Sequence, residues 1–354
     1  METGSRVAPL EKSSPPRMNS GGATACKPSR VPLFVDATAD LAAKPGGTLG
    51  SWYVNCAFES RGRTLGFVWH QGFPAQSSTT KLLLMNATDG RFVPHIRSEP
   101  LGDKVGASLS TCNVTSSLGS LSGDRSRLIL KVRSGSEALD MVLTPQREEL
   151  YNGALGVLPL FGTQSFEYAF PNVIAKGTMT LDGVVYEVDS SAAWFDRQWG
   201  PLEIIDPAAA GKSTSIDLSR LSWTWLGLTL DPAGRESISF WDVHEPSGQR
   251  DTFLTYRRAD GVHMVLAAGV GYDRIWTSEE TGQQYPGLTR ITAPEIDLDI
   301  EVRMLLSRQE FVNRLGEAQS GCQALCRATG RFGAAVIAKA VIFEMIGSPG
   351  AQDR

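Results

Sequence analysis

The densest group of reactive side chains in this chain is residues 194–200, which read Trp-Phe-Asp-Arg-Gln-Trp-Gly. Two indoles, the carboxyl of Asp196 and the guanidinium of Arg197 could together supply an acid, a hydrogen-bond donor and an apolar wall. In an extended chain, Trp194, Asp196 and Gln198 share one face and Arg197 points to the other. Two interpretations stay open: Asp196 acts on a substrate, or the motif packs a domain interface and Asp196 accepts backbone hydrogen bonds.

Three further segments accompany this motif: Ser-Trp-Tyr-Val-Asn at 51–55, Tyr-Pro at 285–286 and Val-Ile-Phe-Glu-Met-Ile-Gly at 341–347. Together with residues 194–200 they resemble the superfamily of carotenoid hydratases and AttH. Its members carry an early Trp-Trp-Tyr, a central Trp-x-Asp-x-x-Trp-Gly and a closing Gly-Tyr-x-Glu-x-x-Gly, the last with two positions altered here. The chain most resembles the fungal branch of secondary metabolism, which includes decalin-forming Diels-Alderases and kievitone-hydratase-like proteins.

The elements that position these residues are short alternating segments separated by turn residues, as in 50–58, 64–70 and 221–230. Alternation of apolar and polar residues with period two predicts half-buried strands. Asp182-Gly183 between two such segments predicts a tight hairpin turn just before the central motif. The pattern therefore predicts an all-β protein, with only minor helix at 206–210 and 308–315.

A chain of 354 residues exceeds what one hydrophobic core usually serves, which predicts two domains. Residues 200–215 are rich in Pro, Gly and small residues, as in an interdomain connection. We expect a disordered leader at 1–30 and domains at 31–203 and 204–354. The resemblance implies an N-terminal β-sandwich and a C-terminal lipocalin-like β-barrel, with the substrate pocket at their interface.

Composition limits the partners. The chain has 42% hydrophobic and 20% charged residues and a net charge of −4, without the basic excess that nucleic-acid binding needs. We expect no membrane span, because the longest apolar run near either end is too short and is interrupted by Lys339. No secretory signal is evident at the start, and the five scattered cysteines suggest free thiols, so a cytoplasmic location is expected.

Motifs for metals and cofactors are missing from the sequence. The four histidines show no metal-ligand spacing, and there is neither a phosphate-binding Gly-x-Gly-x-x-Gly after a strand nor a Gly-x-Ser-x-Gly elbow. The sequence therefore predicts a reaction without metal or cofactor.

Two departures from the carotenoid hydratases affect the predicted reaction. Those enzymes carry His where Arg197 stands, and a Tyr-x-Asp where this chain reads Trp223-Thr-Trp225. A pair of indoles cannot protonate an alkene, but it can line an apolar cavity and hold a polyene in one conformer. We therefore predict first a stereoselective intramolecular [4+2] cycloaddition of an apolar polyene or polyketide, in which the protein selects a near-attack conformer.

Candidate site residues come from the motif and from aromatic positions on neighbouring segments. The predicted catalytic residues are Asp196, Asn55 and Arg303, the last two as possible partners of a substrate carbonyl. For Arg303, an exposed strand cation beside Glu301 is the alternative. The predicted substrate-binding residues are Trp52, Tyr53, Trp69, His70, Tyr168, Trp194, Trp199, Trp223, Trp225, Trp241 and Thr289.

Two other functions remain open beside the Diels-Alder cyclase. One is a hydratase, hydro-lyase or isomerase acting on a terpenoid or phenolic substrate, with Asp196 or Glu167 as general acid; burial that raises the pKa of a carboxyl would favour it. The other is a lipocalin-like carrier of a hydrophobic metabolite. All three have a hydrophobic small molecule as partner, and the enzymes that supply it in a polyketide or terpenoid pathway are further candidate partners.

Overall fold

The computed structural model of this protein describes residues 25–26, 34–44, 48–73, 77–160, 163–201, 221–245, 247–313 and 320–349. These residues form two antiparallel sheets and short 3-10 turns at Ala39–Leu41, Asn152–Ala154 and Pro294–Ile296, with no α-helix in these ranges. Both sheets curl into half-barrels, in keeping with a lipocalin-like two-domain β fold. The predicted all-β fold class is confirmed.

The first sheet, here the N-terminal sheet, contains thirteen strands. They are β2 (Thr48–Ser60), β3 (Arg63–Phe73), β4 (Ser77–Asn86), β5 (Arg91–Pro100), β6 (Gly106–Ala107), β7 (Cys112–Ser116), β8 (Gly119–Asp124), β9 (Arg127–Ser134), β10 (Glu137–Pro145), β11 (Leu150–Tyr151), β12 (Val157–Leu160), β13 (Thr163–Leu181) and β14 (Val184–Pro201). Their order is β5-β4-β3-β2-β14-β13-β10-β9-β8-β7-β6, and β11 and β12 also pair with β13. The central motif thus lies on β14, in the middle of the sheet.

The second sheet, here the C-terminal sheet, contains eleven strands. They are β1 (Ala25–Cys26), β15 (Ser222–Thr229), β16 (Ser237–His244), β17 (Arg250–Arg257), β18 (His263–Ala267), β19 (Gly269–Thr277), β20 (Gln284–Ala293), β21 (Leu298–Met304), β22 (Glu310–Phe311), β23 (Gly321–Phe332) and β24 (Ala335–Ile346). Their order is β1-β18-β17-β16-β15-β24-β23-β21-β20-β19, with β22 beside β23. Strands β15, β24 and β23 are therefore central to this sheet.

The hairpin between β13 and β14 has the predicted turn. Leu181 pairs with Val184, and both residues between them have positive φ, 51° for Asp182 and 74° for Gly183. Two positive φ values define the type I′ turn, whose twist matches that of antiparallel strands. The turn sets the register of β14, and with it the face on which each residue of the central motif lies.

Three hydrophobic cores follow from the pleat of the strands. One lies within the N-terminal sheet and its flanking residues, and a second lies within the C-terminal sheet. The third combines residues of both sheets, among them Tyr53 and Trp194 from the first and Trp225 and Ile342 from the second. The two sheets therefore pack against each other through a buried face, where the predicted pocket would lie.

Two predictions of local structure met different outcomes. The helix predicted at 308–315 is wrong for its described part, because Glu310 and Phe311 form β22 and pair with β23. Phe311 is fully buried there, so tertiary packing overrides the helical spacing of the apolar residues. The turn predicted at 206–210 lies outside the described residues.

The predicted domain limits are only partly covered by the structure. The sheets change between the end of β14 and the start of β15, and the predicted boundary at 203–204 lies outside the described residues. Within the predicted leader, Ala25 and Cys26 pair with β18, and the rest of residues 1–30 lies outside the description. Across the described ranges, none of the helical segments has the length and apolar character that a membrane crossing requires.

Candidate active site between the two sheets

A row of four polar side chains crosses the N-terminal sheet. Asp196 on β14 lies opposite Tyr53 on β2, Tyr53 lies opposite His70 on β3, and His70 lies opposite Lys81 on β4. Directly opposed residues of neighbouring strands share one face of a sheet. The ring of Tyr53 meets Trp225 of the C-terminal sheet at 5.5 Å, so this face looks toward the second sheet.

The next positions along the strands extend this face in both directions. Trp194 and Asn55 lie opposite each other two residues from the row, and Glu167 on β13 lies opposite Gln198 on β14. Because alternate residues share a face, Glu167 becomes a diagonal neighbour of Asp196. The pleat thus gathers two carboxyls, an amide and an indole from three strands.

The C-terminal sheet presents a matching row. Trp241, Trp225, Glu344 and Gln323 lie opposite one another on β16, β15, β24 and β23. Trp223 shares their face, and its Nε1 donates a hydrogen bond to Glu344 Oε1 at 2.7 Å. This second face is therefore an aromatic wall with one carboxyl and one amide in it.

Hydrogen bonds and ring contacts connect the two faces. Tyr53 Oη donates to Gln323 Oε1 at 2.8 Å, and Gln323 Nε2 donates to the carboxylate of Glu344. The indoles of Trp194 and Trp225 meet edge to face with ring centres 5.9 Å apart. We call these residues the interface cluster: Tyr53, Asn55, Glu167, Trp194, Asp196, Trp223, Trp225, Trp241, Gln323 and Glu344.

The two carboxyls of the N-terminal face are buried, Glu167 at 2% and Asp196 at 7% exposure. Burial and the neighbouring carboxyls of Asp196 and Glu344 raise the pKa of Glu167 well above its usual value. Burial also raises the pKa of Asp196, although the hydrogen bond from Trp194 Nε1 at 2.7 Å opposes this. Glu167 Oε2 has no hydrogen-bond partner among the described residues, so Glu167 is the carboxyl that retains a proton most readily.

The other end of the row is basic. Burial and the nearby Lys81 lower the pKa of His70 well below its usual value, and His70 Nε2 lies 2.8 Å from Ser51 Oγ. Burial also lowers the pKa of Lys81, whose Nζ lies 4.3 Å from the ring centre of Phe311. Acids and bases thus occupy opposite ends of one buried face.

The position of Trp194 depends on a glycine in the opposite sheet. A Cβ added at Gly227 on β15 would lie 2.5 Å from Cδ2 and Cε2 of the Trp194 indole. We expect Gly227→Ala to displace this indole, to break its hydrogen bond to Asp196 and to cost about 1–3 kcal/mol of unfolding free energy. Urea titration followed by tryptophan fluorescence measures both effects. Gly271→Ala, which meets no atom within 4 Å, is the control, and equal stability of the two variants would contradict the prediction.

The opposite face of β14 serves the N-terminal core. Arg197 is fully buried and donates hydrogen bonds to the backbone oxygens of Asp40, Ala42, Ser51 and Gln198. Its guanidinium stacks on the rings of Trp52 and Trp199 at 4.0 and 4.9 Å. This half of the motif holds the sheet together, while Trp194 and Asp196 face the second sheet.

Four of the predicted substrate-binding residues lie in the N-terminal core and are not brought to the interface cluster. Trp52 Nε1 donates to the backbone oxygen of Leu41, and Tyr168 Oη donates to that of Ala37. Trp69 is fully buried in the same core, and Trp199 packs on Phe166 with ring centres 5.6 Å apart. Because side chains alternate between the two faces of a strand, these four residues lie on the face that points away from the C-terminal sheet.

Two further candidates lie elsewhere in the C-terminal sheet. Thr289 is buried opposite Tyr272, and its Oγ1 has no partner within the part of the chain that is described. Arg303 is half-buried, with Nη2 3.6 Å from Glu301 Oε2. Neither residue joins the interface cluster. Thr289 lies opposite Val302, on the face that forms the core of the C-terminal sheet, and Arg303 lies on the other face of β21.

A second polar group lies inside the C-terminal sheet. Asp242 is fully buried and accepts hydrogen bonds from His244, Arg250, Thr252 and Tyr272. Burial alone would raise the pKa of Asp242, but these hydrogen bonds hold it well below its usual range. All the partners satisfy one carboxylate, so this group is a structural anchor rather than a reactive site.

Sequence reasoning did not select three residues of this region, Lys81, Gln323 and Glu344. Glu344 belongs to the closing segment that carries the family resemblance, and that segment was the available signal. Lys81 and Gln323 stand in alternating strands, and only the long-range register reveals which face each occupies. Searched within the described ranges, His, Cys, Asp and Glu side chains form no group of three or more suited to a metal ion.

Comparisons with known proteins agree with this architecture. A family model described as AttH-like matches residues 32–319. A protein from Nitrosomonas europaea described as AttH has 19% identity and a TM-score of 0.73, covering 88% of this chain and 97% of that one. Kievitone hydratase from Nectria haematococca has 16% identity and a TM-score of 0.72, covering 90% and 94%.

A further solved structure is that of CghA with Sch210972, with 10% identity and a TM-score of 0.50, covering 92% of this chain and 98% of that one. Identities this low establish a shared fold. Among curated protein sequences no significant match is found.

Proposed function

This chain belongs to the AttH-like family, and from that premise we propose that it is an enzyme that transfers a proton from a buried carboxylic acid to an apolar unsaturated substrate. The reaction class is the addition or removal of water, or the isomerisation of a double bond. The single observation that carries the proposal is Glu167, a buried carboxyl with an unpartnered oxygen beside Asp196 and a tryptophan wall. The fold similarity to an enzyme named kievitone hydratase supports it.

Glu167 is the proposed proton donor. An alkene accepts a proton only from a strong and well-positioned acid, and a carboxyl that stays protonated near neutral pH meets that need. The raised pKa of Glu167 comes from burial and from the carboxyls of Asp196 and Glu344. Its proton moves to one carbon of the double bond, which leaves a carboxylate on Glu167 and a cation on the other carbon.

The neighbouring groups stabilise that cation. The rings of Trp194 and Trp225 lie within 5.9 Å of each other, and Trp241 follows at 6.3 Å. Indole faces attract cations, most strongly where water is excluded. The carboxyl of Asp196 lies close to the same place, held by the hydrogen bond from Trp194 Nε1. Asn55, a buried amide on the same face, donates a hydrogen bond to a substrate oxygen.

Two outcomes complete the reaction. In hydration, a water oxygen bonds to the cation and its extra proton passes to the carboxylate, which restores the acid. In isomerisation, the cation loses a proton from an adjacent carbon to the same carboxylate. Dehydration is the hydration sequence in reverse, with Glu167 protonating the leaving hydroxyl.

The [4+2] cyclase is the second candidate, and the tryptophan wall favours it. Trp194, Trp225 and Trp241 form a continuous apolar surface of fixed rings, which suits the folding of a linear polyene into one reactive conformer. Trp241 Nε1 has no partner among the described residues and could donate to the carbonyl of a dienophile. It ranks second because a cycloaddition has no need of two buried carboxyls.

Mass spectrometry of products distinguishes these functions. The purified protein, without added metal or cofactor, is incubated with prenylated phenols and with linear polyenes in D₂O. We expect a gain or loss of one water, or an isomer that carries deuterium on carbon. An isomer without carbon-bound deuterium would replace this proposal with the cyclase, and binding without conversion would leave a carrier.

A further inference from the structure

We infer that Lys81 binds an acidic group of the substrate, so that the enzyme takes an amphipathic molecule with a carboxylate, phenolate or enolate at one end and the reacting double bond at the other. This inference rests on the proposed function, because it takes Glu167 and Asp196 as the reacting end of the site. It assigns the opposite end of the same row to recognition.

The surroundings of Lys81 lack a counter-ion. The residue is 7% exposed, and the centre of the Phe311 ring lies 4.3 Å from its Nζ. On the same face its neighbours are His70, Leu83 and Ile96. No carboxylate forms a hydrogen bond or an ion pair with its ammonium among the described residues. A buried cation without a partner is costly, and proteins usually pair such charges.

The nearest acidic side chain is already engaged. Glu344 acts on Lys81 electrostatically and raises its pKa, against the larger effect of burial. However, the carboxylate of Glu344 accepts hydrogen bonds from Trp223 and Gln323. His70 is held uncharged by burial and by Lys81 itself, so it offers no negative charge. An anionic group from outside the protein would supply the missing partner.

The register sets the length of the substrate. Asp196, Tyr53, His70 and Lys81 occupy four neighbouring strands, three strand spacings apart from end to end. At about 4.8 Å for each spacing, the backbones of Asp196 and Lys81 are about 14 Å apart along the sheet, and the proposed proton donor Glu167 lies on β13, one strand further. Between them the opposite wall carries Trp225, Glu344 and Gln323, and the carboxylate of Glu344 is held by Trp223 and Gln323. This geometry fits an apolar body with one charged end.

A pair of fluorescent probes tests this without turnover. 1-Anilinonaphthalene-8-sulfonate and N-phenyl-1-naphthylamine share an apolar body, but only the first carries a negative charge. We expect wild-type protein to bind the anionic probe about tenfold more tightly than the neutral one, as a charge-assisted contact allows. Lys81→Met, which keeps a similar chain length, should lose this preference and keep its affinity for the neutral probe.

Two controls separate the possible failures. Lys339→Met removes another partly buried lysine, whose Nζ is satisfied by the backbone oxygen of Thr229 at 2.7 Å, and should keep the preference. No preference in wild-type protein, an unchanged preference in Lys81→Met, or its loss in Lys339→Met instead would overturn the inference. Glu167→Gln should bind both probes as wild type does. Turnover that survives in Glu167→Gln would refute the proposed function and leave the binding result intact.

Discussion

Replacing Glu167 with glutamine is expected to lower turnover by about 10²–10⁴-fold, the contribution of a general acid in the transition state. Glutamine keeps the size and polarity of the side chain but has no proton to give. Wild-type activity should fall as pH rises through the raised pKa of Glu167, because the carboxylate cannot protonate an alkene. The rate of product formation against pH, for wild type and variant, measures both effects.

Glu167→Gln should lower the activity but raise the stability of the folded protein. Since the folded-state pKa of Glu167 is raised above its unfolded value, the folded protein binds more protons than the unfolded chain. The stability of the wild type therefore falls as pH rises above about 4.3, the unfolded value, and continues to fall until the folded pKa is passed.

Glutamine does not ionise, so Glu167→Gln removes this pH-dependent loss of stability. We therefore expect the variant to unfold at a higher urea concentration than wild type at neutral and alkaline pH. Glu301→Gln, at an exposed position, is the matched control and should leave both activity and stability unchanged. A variant that keeps full activity, or that loses activity only because it unfolds, would contradict the acid role.

Arg197→Met is expected to destabilise the protein by about 3–5 kcal/mol, the largest effect on stability predicted here. The substitution leaves the backbone oxygens of Asp40, Ala42, Ser51 and Gln198 without their donor in a buried region. It also removes the stacking on Trp52. Burial lowers the pKa of Arg197 to about 10, so its guanidinium remains charged at neutral pH.

Urea unfolding followed by circular dichroism measures this loss. Arg303→Met is the control, because that side chain is partly exposed and its ion pair with Glu301 is at the surface, so it should change stability by no more than about 0.5 kcal/mol. If Arg197→Met were as stable as this control, the four carbonyl groups would have to find other donors. That result would disprove the role of the guanidinium as a structural clamp.

The two faces of β14 explain why so many reactive and aromatic side chains occur within residues 194–200. One strand in the middle of the N-terminal sheet serves two environments, with Trp194 and Asp196 on the interface and Arg197 and Trp199 in the core. The packing interpretation therefore describes Arg197 and Trp199, and the chemical role of Trp194 and Asp196 remains a proposal. Asp196 accepts a hydrogen bond from an indole rather than from the backbone, which keeps its carboxyl on the buried face between the sheets.

Local rules determined much of this protein from its sequence. The all-β class, the turn at Asp182-Gly183 and the opposite directions of Asp196 and Arg197 all follow from turn chemistry and from the period of two. These features depend on residues close together in the chain, whose conformations are limited by their own backbones.

Only the tertiary structure decided which of two faces meets the second sheet, and which distant residues stand there. Nothing local distinguishes the core position of Trp52 from the interface position of Tyr53, since both are buried aromatic residues. Gln323 lies 270 residues from Tyr53, yet it accepts the hydrogen bond of that tyrosine. Such contacts depend on the register of many strands and on the packing of two sheets, which arise when the whole chain folds and cannot be read from any one segment.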